Sequence, residues 1–194
     1  PTRRSSDLVQ IVLVVDNANQ TWQMLQINRD TITKVPVLDV MGGVSAYADE
    51  QIALAHYYGN GGKNSCENTE LAVSMLLDDQ PINGYLALNM DAVGIVTDLV
   101  GGVTLTITSD FSEIDPSLVQ GDTMTLDGQK ALTYVRSRHH IDDQTNIARM
   151  RRQQQFLTAL EEKLKQQDTE FAAKAYDALS GYMVTDINSG TAAK

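Results

Sequence analysis

Short β-branched runs alternate along this chain with segments whose apolar residues repeat at helical spacing, and no other feature constrains the fold as strongly. Residues 9–15 and 22–27 have the composition of strands, and a turn-forming cluster at 16–19 separates them, which predicts a hairpin. From about residue 144 the apolar residues recur at intervals of three, seven, three and four positions, which predicts the longest helix. Alternating strands and helices are typical of the α/β class, and we predict a three-layer α/β/α sandwich around a mixed central sheet.

The remaining elements follow from the same patterns. They are an extended piece at 35–40, helices at 49–58 and 65–77, a strand at 85–88, a helix at 91–100, a strand at 103–108, a loop at 109–123, a helix at 127–135 and a weaker helix at 170–179. The strand, helix and strand between 85 and 108 predict a βαβ unit. We expect one domain over residues 7–182, with residues 1–6 disordered or left over from expression and residues 183–194 forming a polar tail.

Charge and composition exclude several classes of protein. The 194 residues carry a formal net charge of −10, which repels a phosphate backbone and argues against nucleic-acid binding. The longest apolar run, residues 11–15, is too short to cross a bilayer. The one cysteine, Cys66, has no partner for an intrachain disulfide, and no Cys/His cluster has the spacing of zinc ligands. A hydrophobic core must therefore stabilise the fold.

Arginine is concentrated in one short stretch of this acidic chain. Five of the eight arginines lie within seventeen residues: Arg136, Arg138, Arg149, Arg151 and Arg152. Guanidinium groups stay charged and donate in a fork that fits phosphate oxygens, so the cluster indicates a site for a polyanion. The alternative is that these arginines pair with nearby carboxylates. Those carboxylates are Asp142, Asp143, Glu161 and Glu162.

Helical geometry places part of the cluster on one face. Arg149, Arg152 and Gln153 are spaced i, i+3 and i+4 and share a face of the long helix, whereas Arg151 points elsewhere. The two arginines that precede the helix reach the same place if the loop at 137–145 folds back onto it. Like charges that converge repel one another, and a pyrophosphate bound among them offsets that repulsion.

Five sequence motifs occur in a fixed order along the chain. They are Gln26-Ile27-Asn28-Arg29-Asp30-Thr31, Ile52-Ala53-Leu54-Ala55-His56, Asp98-Leu99-Val100-Gly101-Gly102-Val103, Gly128-Gln129-Lys130-Ala131-Leu132-Thr133-Tyr134-Val135-Arg136-Ser137-Arg138, and Arg149-x-x-Arg152-Gln153-Gln154. Together they resemble the signature of the LytR-CpsA-Psr family of bacterial cell-envelope proteins, over residues 7–165. One such motif is weak, whereas five in order with compatible gaps are specific.

The resemblance implies a domain that binds polyprenyl pyrophosphate. The family is understood to transfer a lipid-linked glycopolymer, such as teichoic acid or capsular polysaccharide, onto peptidoglycan by phosphoryl transfer. The positions that match the family's pyrophosphate-binding residues are Arg29, Arg136, Arg138, Arg149 and Gln153. To these we add Arg152, because it lies on the same face of the long helix as Arg149 and Gln153. Phosphoryl transfer depends on positioning and charge neutralisation, for which arginine clamps are suited.

The resemblance also implies which residues act at the reacting phosphate. Arg29 and Arg138 are the expected catalytic arginines, and Asp30 either orients Arg29 or accepts the proton of the acceptor hydroxyl. Asp7 is similar to the family's acidic ligand of Mg²⁺ or Mn²⁺, a cation that neutralises developing charge.

The expected partners are the lipid-linked glycan and a peptidoglycan acceptor, with no nucleic acid. The family is usually anchored by one N-terminal transmembrane helix, which this sequence lacks. We therefore expect the extracytoplasmic domain of a longer protein, at the cell membrane or cell wall of a bacterium. The alternative functions are binding of polyprenyl phosphate or pyrophosphate without transfer, pyrophosphate hydrolysis, and a regulatory role in the envelope.

The other motifs favour structural roles. His139 and His140 face opposite ways in an extended loop, which is typical of a solvated segment rather than a metal site. Ser137 has no Gly-x-Ser-x-Gly motif around it, and a hydrolytic triad is not predicted. The glycines of residues 59–62 follow a helix, which predicts a turn instead of a phosphate-binding loop. Cys66 is expected to be a small buried hydrophobe. Four aromatic residues are expected to pack in the core, with a lipid tunnel as the alternative: Trp22, Tyr57, Tyr58 and Tyr85.

Overall fold

The computed structural model of the chain describes residues 9–59, 61–142 and 144–187. Their elements are, in chain order, β1 (Gln10–Asp16), β2 (Thr21–Ile27), β3 (Ile32–Leu38), β4 (Val44–Gln51), α1 (Leu54–Tyr58), α2 (Gly62–Leu76), β5 (Leu86–Leu88), α3 (Asp91–Leu99), β6 (Val103–Thr106), β7 (Thr123–Leu126), α4 (Gly128–Arg136), α5 (Asn146–Leu164), α6 (Thr169–Leu179), a 3₁₀ turn (Ser180–Tyr182) and β8 (Met183–Thr185). None of the helices among these residues combines the length and the apolar composition that crossing a membrane requires.

The strands of the described residues pair two by two. β1 pairs with β2, β3 with β4 and β6 with β7, all antiparallel, and β5 pairs with β8. The mixture of helices and strands confirms the α/β class, and the hairpin predicted at 9–27 is confirmed as β1 and β2. Where a mixed central sheet is expected, the described residues form four two-stranded sheets, three of which join strands that are consecutive in the chain.

The predicted βαβ unit is wrong in its strand pairing. β6, the strand after α3, pairs antiparallel with β7 and not with β5. Val103 and Leu105 are buried on one face of β6, while the hydroxyls of Thr104 and Thr106 on the other face bond to threonines of β7 at 2.8 and 2.7 Å. One apolar and one polar face suit an antiparallel pair with a solvent side.

The described residues fall into two compact units, one formed by residues up to 87 together with 184–187 and the other by residues 88–183. The core of the first unit contains Ile27, Val35, Ile52, Ala55, Ala72 and Val73. Asn68 of α2 donates from Nδ2 to the carbonyl oxygens of Pro36 and Ala55 at 3.0 and 2.7 Å, which joins α2 to β3 and α1. Cys66 is confirmed as a buried residue, and burial raises the pKa of its thiol.

The helix predicted at 49–58 is wrong over its first half. Residues 49–51 of that predicted helix belong to β4, and α1 begins only at Leu54. In the turn before β4, Asp39 Oδ1 accepts hydrogen bonds from the amides of Met41 and Gly43 at 2.8 and 3.0 Å, which closes the β3–β4 hairpin. Cross-strand pairing therefore decides the conformation of residues whose local pattern favours a helix.

The glycines between α1 and α2 end one helix and begin the next. α2 begins at Gly62, so the expectation that these glycines only follow a helix is wrong. Gly61 has a φ of 95°, a left-handed conformation that favours glycine. At Gly59 a Cβ would lie 2.2 Å from the Cα of Ser65, so a side chain there would displace the backbone.

His56 of α1 gives the first unit a dependence on pH. Burial lowers the pKa of His56 and outweighs a backbone hydrogen bond with Ser65, which raises it. Below about pH 6.5 the unfolded chain binds a proton at this residue that the folded chain binds less readily. The free energy of unfolding should therefore fall as the pH is lowered from 7.5 to 5.5, and His56→Gln should reduce that fall in urea titrations. An equal fall in His56→Gln and wild type would contradict the prediction.

The core of the second unit is built around an aromatic pair. The rings of Phe111 and Tyr134 stack with 5.4 Å between their centroids, among buried residues of β6, β7, α4 and α5. α3 and α4 approach closely where the carbonyl of Gly94 faces Gly128. Asp98 Oδ1 accepts a hydrogen bond from the amide of Gly128 at 2.7 Å, which fixes the start of α4 on α3.

Two surface features differ from the sequence predictions. Trp22 and Tyr57 are 41% and 72% exposed, so the expectation that they pack in the core is wrong, whereas Tyr58 does pack against the core of the first unit. Part of the segment predicted as a polar tail forms β8, and Thr185 donates from Oγ1 to the carbonyl oxygen of Tyr85 at 2.6 Å. A strand of three residues is too short to show alternation in the sequence.

Candidate anion-binding site

The connection between α4 and α5 carries the arginine cluster and lies within the second unit. α4 ends at Arg136, whose side chain is exposed. Arg138 follows it, half-buried, with Nη2 at 3.4 Å from Nε2 of His139. Two guanidinium groups therefore flank the end of one helix.

One face of α5 is buried through polar residues, as the spacing predicts. Arg149, Arg152 and Gln153 are 3%, 2% and 6% exposed, whereas Arg151 is exposed. Arg149 donates from Nη2 to Oδ1 of Asn146 at 3.1 Å. Gln153 donates from Nε2 at 3.1 Å to the carbonyl oxygen of the penultimate residue of α4. The buried face of α5 thus lies against the end of α4.

Arg152 is the centre of a buried hydrogen-bond network. Its Nε donates to the carbonyl oxygen of Tyr134 at 3.2 Å, and its Nη2 donates to that of Ser137. Its Nη1 donates to the hydroxyl of Ser109 at 3.3 Å and forms a salt bridge with Asp142. The same carboxylate accepts a hydrogen bond from Ser109 at 2.7 Å. The alternative interpretation of the arginines, pairing with nearby carboxylates, is therefore confirmed for Arg152.

The loop that Arg152 contacts has a strained backbone. His140, Asp142 and Gln144 have φ values of 61°, 49° and 58°, in the left-handed region. Such a conformation costs about 1–2 kcal/mol at a residue with a side chain. The salt bridge and the hydrogen bond on Asp142 offset part of that cost, and the amide of Gln144 donates to the carbonyl oxygen of Ile141 at 3.1 Å.

Sequence reasoning missed three residues that hold this region together. Ser109 lies in a predicted surface loop, and its contacts with Arg152 and Asp142 have no signal in the sequence. Tyr134 donates from its hydroxyl to Oε1 of Gln155 at 2.6 Å, and Gln155 donates from Nε2 to a carbonyl oxygen of β6 at 2.8 Å. Tyr134 stands in a recognised motif, but only its burial reveals what it supports.

The first unit carries Arg29 and Asp30 directly after β2. Nε of Arg29 lies 3.6 Å from Oδ1 of Asp30. Gln51, the last residue of β4, donates from Nε2 to the same oxygen at 3.2 Å, and the amide of Asp30 donates to Oδ1 of Asn28 at 3.0 Å. The carboxylate is thus held beside the guanidinium, as expected if Asp30 orients Arg29. Gln51 is a partner that sequence reasoning did not identify.

The predicted metal ligand, Asp7, lies outside the described residues. Within the described ranges, no three or more His, Cys, Asp or Glu side chains are grouped as a metal site requires. His139 and His140 are both exposed, and His140 pairs through Nδ1 with Oε2 of Glu113 at 3.1 Å. The prediction of a solvated loop is confirmed for these histidines.

Comparison with known proteins identifies the family. The sequence profile of the LytR_cpsA_psr family matches residues 2–194. This chain therefore belongs to the LytR_cpsA_psr family, the family that its motifs resemble.

The relatives of this chain include named enzymes. The polyisoprenyl-teichoic acid–peptidoglycan teichoic acid transferase TagV of Bacillus subtilis (strain 168) is 32% identical over 156 residues, which are 77% of this chain and 37% of that protein. The TagU transferase of the same strain is 30% identical over 150 residues, 77% of this chain and 44% of that protein. The chain thus spans less than half the length of these relatives.

Solved structures share the fold. The crystal structure of B. subtilis TagV matches with a TM-score of 0.72 and 28% identity, over 95% of this chain and 68% of that one. The structure of TagT bound to LI-WTA matches with a TM-score of 0.68 and 24% identity, over 93% of this chain and 63% of that one. The second likeness is one of fold alone.

Proposed function

We propose that this chain is part of a phosphotransferase that attaches a polyprenyl-pyrophosphate-linked glycopolymer, of teichoic acid or capsular polysaccharide type, to peptidoglycan. The observation that carries the proposal is the geometry of the α4–α5 connection, which places Arg138 just after α4 and Arg149 in the first turn of α5. Buried hydrogen bonds from Arg152 and Gln153 to backbone carbonyl oxygens fix the end of α4 against α5. The TagU and TagV relatives support the proposal, because they are named as transferases of this type.

The proposed reaction moves one phosphoryl group. A hydroxyl oxygen of peptidoglycan attacks the phosphorus that bears the glycan, and a new P–O bond forms. The bond from that phosphorus to the bridging oxygen breaks, and the electron pair leaves with the prenyl monophosphate. The hydroxyl proton passes to a base, which is one of the two roles that the family motif leaves open for Asp30, the other being to orient Arg29. Guanidinium groups neutralise the charge that develops on the phosphate oxygens.

The residues divide the work in this proposal. Arg29 and Arg138 keep the catalytic roles that the family motifs imply for them, whereas Arg136, Arg149 and Gln153 hold the pyrophosphate. Bidentate donation from guanidinium to phosphate oxygens gives both charge and orientation. The hydrogen bond from Gln153 Nε2 to a carbonyl oxygen in the last turn of α4 holds this part of α5 against α4.

A divalent cation remains part of the proposal. Mg²⁺ or Mn²⁺ would bind at Asp7 and neutralise phosphate charge. The described residues offer no grouped ligands that would complete such a site, and so we assign no step of the reaction to the cation. The proposed setting is the outer face of the bacterial membrane, with anchoring by a membrane segment of the whole protein and with peptidoglycan as the acceptor.

The proposal is tested with a prenyl-pyrophosphate-linked sugar, labelled in the sugar, and a soluble peptidoglycan fragment. We expect the label to move to the fragment and prenyl monophosphate to appear in equal amount. We also expect EDTA to lower the rate by about tenfold or more and Mg²⁺ or Mn²⁺ to restore it. Release of labelled sugar phosphate without transfer would favour a pyrophosphatase, and binding without turnover would favour a lipid-binding protein. Absence of binding would overturn the interpretation of the arginines.

A further inference from the structure

We propose that Arg152 is a positioning residue, which holds the segment that carries Arg138 in its binding geometry, and that it does not itself contact the pyrophosphate. The inference rests on the proposed function for its ligand. It corrects the expectation, drawn from helical spacing, that every polar residue on this face of α5 binds the anion.

The guanidinium of Arg152 is committed to the protein. All three of its nitrogens donate to protein acceptors, in four hydrogen bonds to two carbonyl oxygens, one hydroxyl and one carboxylate. The side chain is 2% exposed, and its guanidinium lies 5.7 Å from the centroid of the Phe111 ring. A phosphate would have to displace these partners and leave Asp142 without its cation.

Two of the acceptors of Arg152 are backbone carbonyl oxygens close to Arg138 in the chain. The carbonyl of Ser137 belongs to the peptide group that joins Ser137 to Arg138. The carbonyl of Tyr134 lies in the last turn of α4, where carbonyl groups lack helical partners. Arg152 thus satisfies the end of α4 and fixes the peptide unit from which Arg138 extends.

The salt bridge between Arg152 and Asp142 also stabilises the later part of the loop at 137–145. Asp142 lies between two other residues in the left-handed conformation, and such a backbone persists only when its surroundings determine it. Arg152 and Ser109 both bond to its carboxylate. Lysine in place of Arg152 keeps the charge but has no planar fork, so it cannot reach all four acceptors at once.

The first experiment measures the loop without any ligand. In Arg152→Lys, amide hydrogen exchange at Gln144, whose N–H bonds to the carbonyl of Ile141, should be at least about tenfold faster than in wild type. The amide of Ile107, which bonds to the carbonyl of Asp122 outside this loop, reports on global stability and should change less. Arg151→Lys, an exposed substitution on the same helix, should leave both amides unchanged.

The second experiment measures the dissociation constant for farnesyl pyrophosphate, under conditions in which urea titration shows each variant to be folded. Arg152→Lys should weaken binding about tenfold or more, and Asp142→Asn should weaken it by about threefold, because both loosen the segment of Arg138. The sign for Asp142→Asn is decisive, since removal of a negative charge would by electrostatics alone strengthen the binding of an anion. Arg151→Lys should bind as wild type does.

The outcomes separate this inference from the proposed function. Faster exchange at Gln144 in Arg152→Lys and Asp142→Asn, with weaker binding, supports the positioning role. Unchanged exchange with weaker binding in Arg152→Lys makes Arg152 a ligand and overturns the inference, and tighter binding in Asp142→Asn also overturns it. If wild type does not bind farnesyl pyrophosphate, the proposed function fails, and the exchange result alone then decides whether Arg152 organises the loop.

Discussion

Replacement of Arg138 by alanine is expected to lower the rate of transfer from a prenyl-pyrophosphate-linked sugar by at least about a hundredfold. In the proposed reaction Arg138 neutralises charge that develops on the phosphate oxygens, and loss of one preorganised donor of this kind typically costs a factor of about 100 to 1000. Arg138→Lys should retain part of the activity, because lysine keeps the charge but not the bidentate geometry. The measurement is the initial rate of prenyl monophosphate release at saturating substrate.

The control for Arg138 is the exposed arginine on α5. Arg151→Ala also removes one positive charge from the arginine cluster, and we expect its transfer rate to stay within about twofold of the wild-type rate. An equal loss of transfer rate in the two variants would mean that the arginine cluster acts only through its total charge. Full activity in Arg138→Ala would remove Arg138 from the proposed site.

Gly128→Ala is expected to destabilise the chain by about 3 kcal/mol. A Cβ at this position would lie 2.5 Å from the carbonyl oxygen of Gly94 and 2.6 Å from Oδ2 of Asp98, closer than such atoms pack. Relief of the clash would move α4 away from α3 and break the hydrogen bond from the Gly128 amide to Asp98. The measurement is the free energy of unfolding from urea titrations followed by circular dichroism.

The matched control for this variant is Gly181→Ala. Apart from Gly181 and its two chain neighbours, no described residue has an atom within 4 Å of a Cβ built at Gly181, and this glycine is exposed to solvent. We expect a change within about 0.5 kcal/mol. A Gly128→Ala variant as stable as the control would show that α3 and α4 tolerate a wider separation than the structure indicates.

These predictions divide the recognised motifs by physical role. Asp98 and Gly128 come from two motifs that are separate in the sequence, and they meet at one hydrogen bond where α3 packs on α4. Their part is to place α4, whereas the arginine that follows α4 is the part proposed to contact ligand. Arg152 looks equivalent to Arg149 in the sequence, and only its set of buried acceptors separates the two roles.

Local signals predicted much of the secondary structure. The turn at 16–19 and the strands beside it predicted the first hairpin, and apolar spacing predicted α5. In the structure, Asp127 and Thr145 cap α4 and α5 by accepting hydrogen bonds from the amides of Lys130 and Ala148 at 2.8 and 3.1 Å. The turn and the apolar spacing succeed as signals because turns and helical faces involve residues only a few positions apart. The five motifs likewise predicted the family, which the comparison confirms.

The sequence by itself determined the class of fold, the family and the segment in which the arginines are concentrated. Tertiary structure alone decided that residues 49–51 belong to a strand and not to a helix, that β6 pairs with β7, and that Arg152 is bound to Ser109 and Asp142. The reason is distance along the chain. Ser109 and Arg152 are 43 residues apart, and no periodicity or local propensity records a contact between residues so far separated. Whether a buried arginine faces a ligand or a carbonyl oxygen depends on such contacts, and so the division of roles within the arginine cluster becomes visible only in the folded chain.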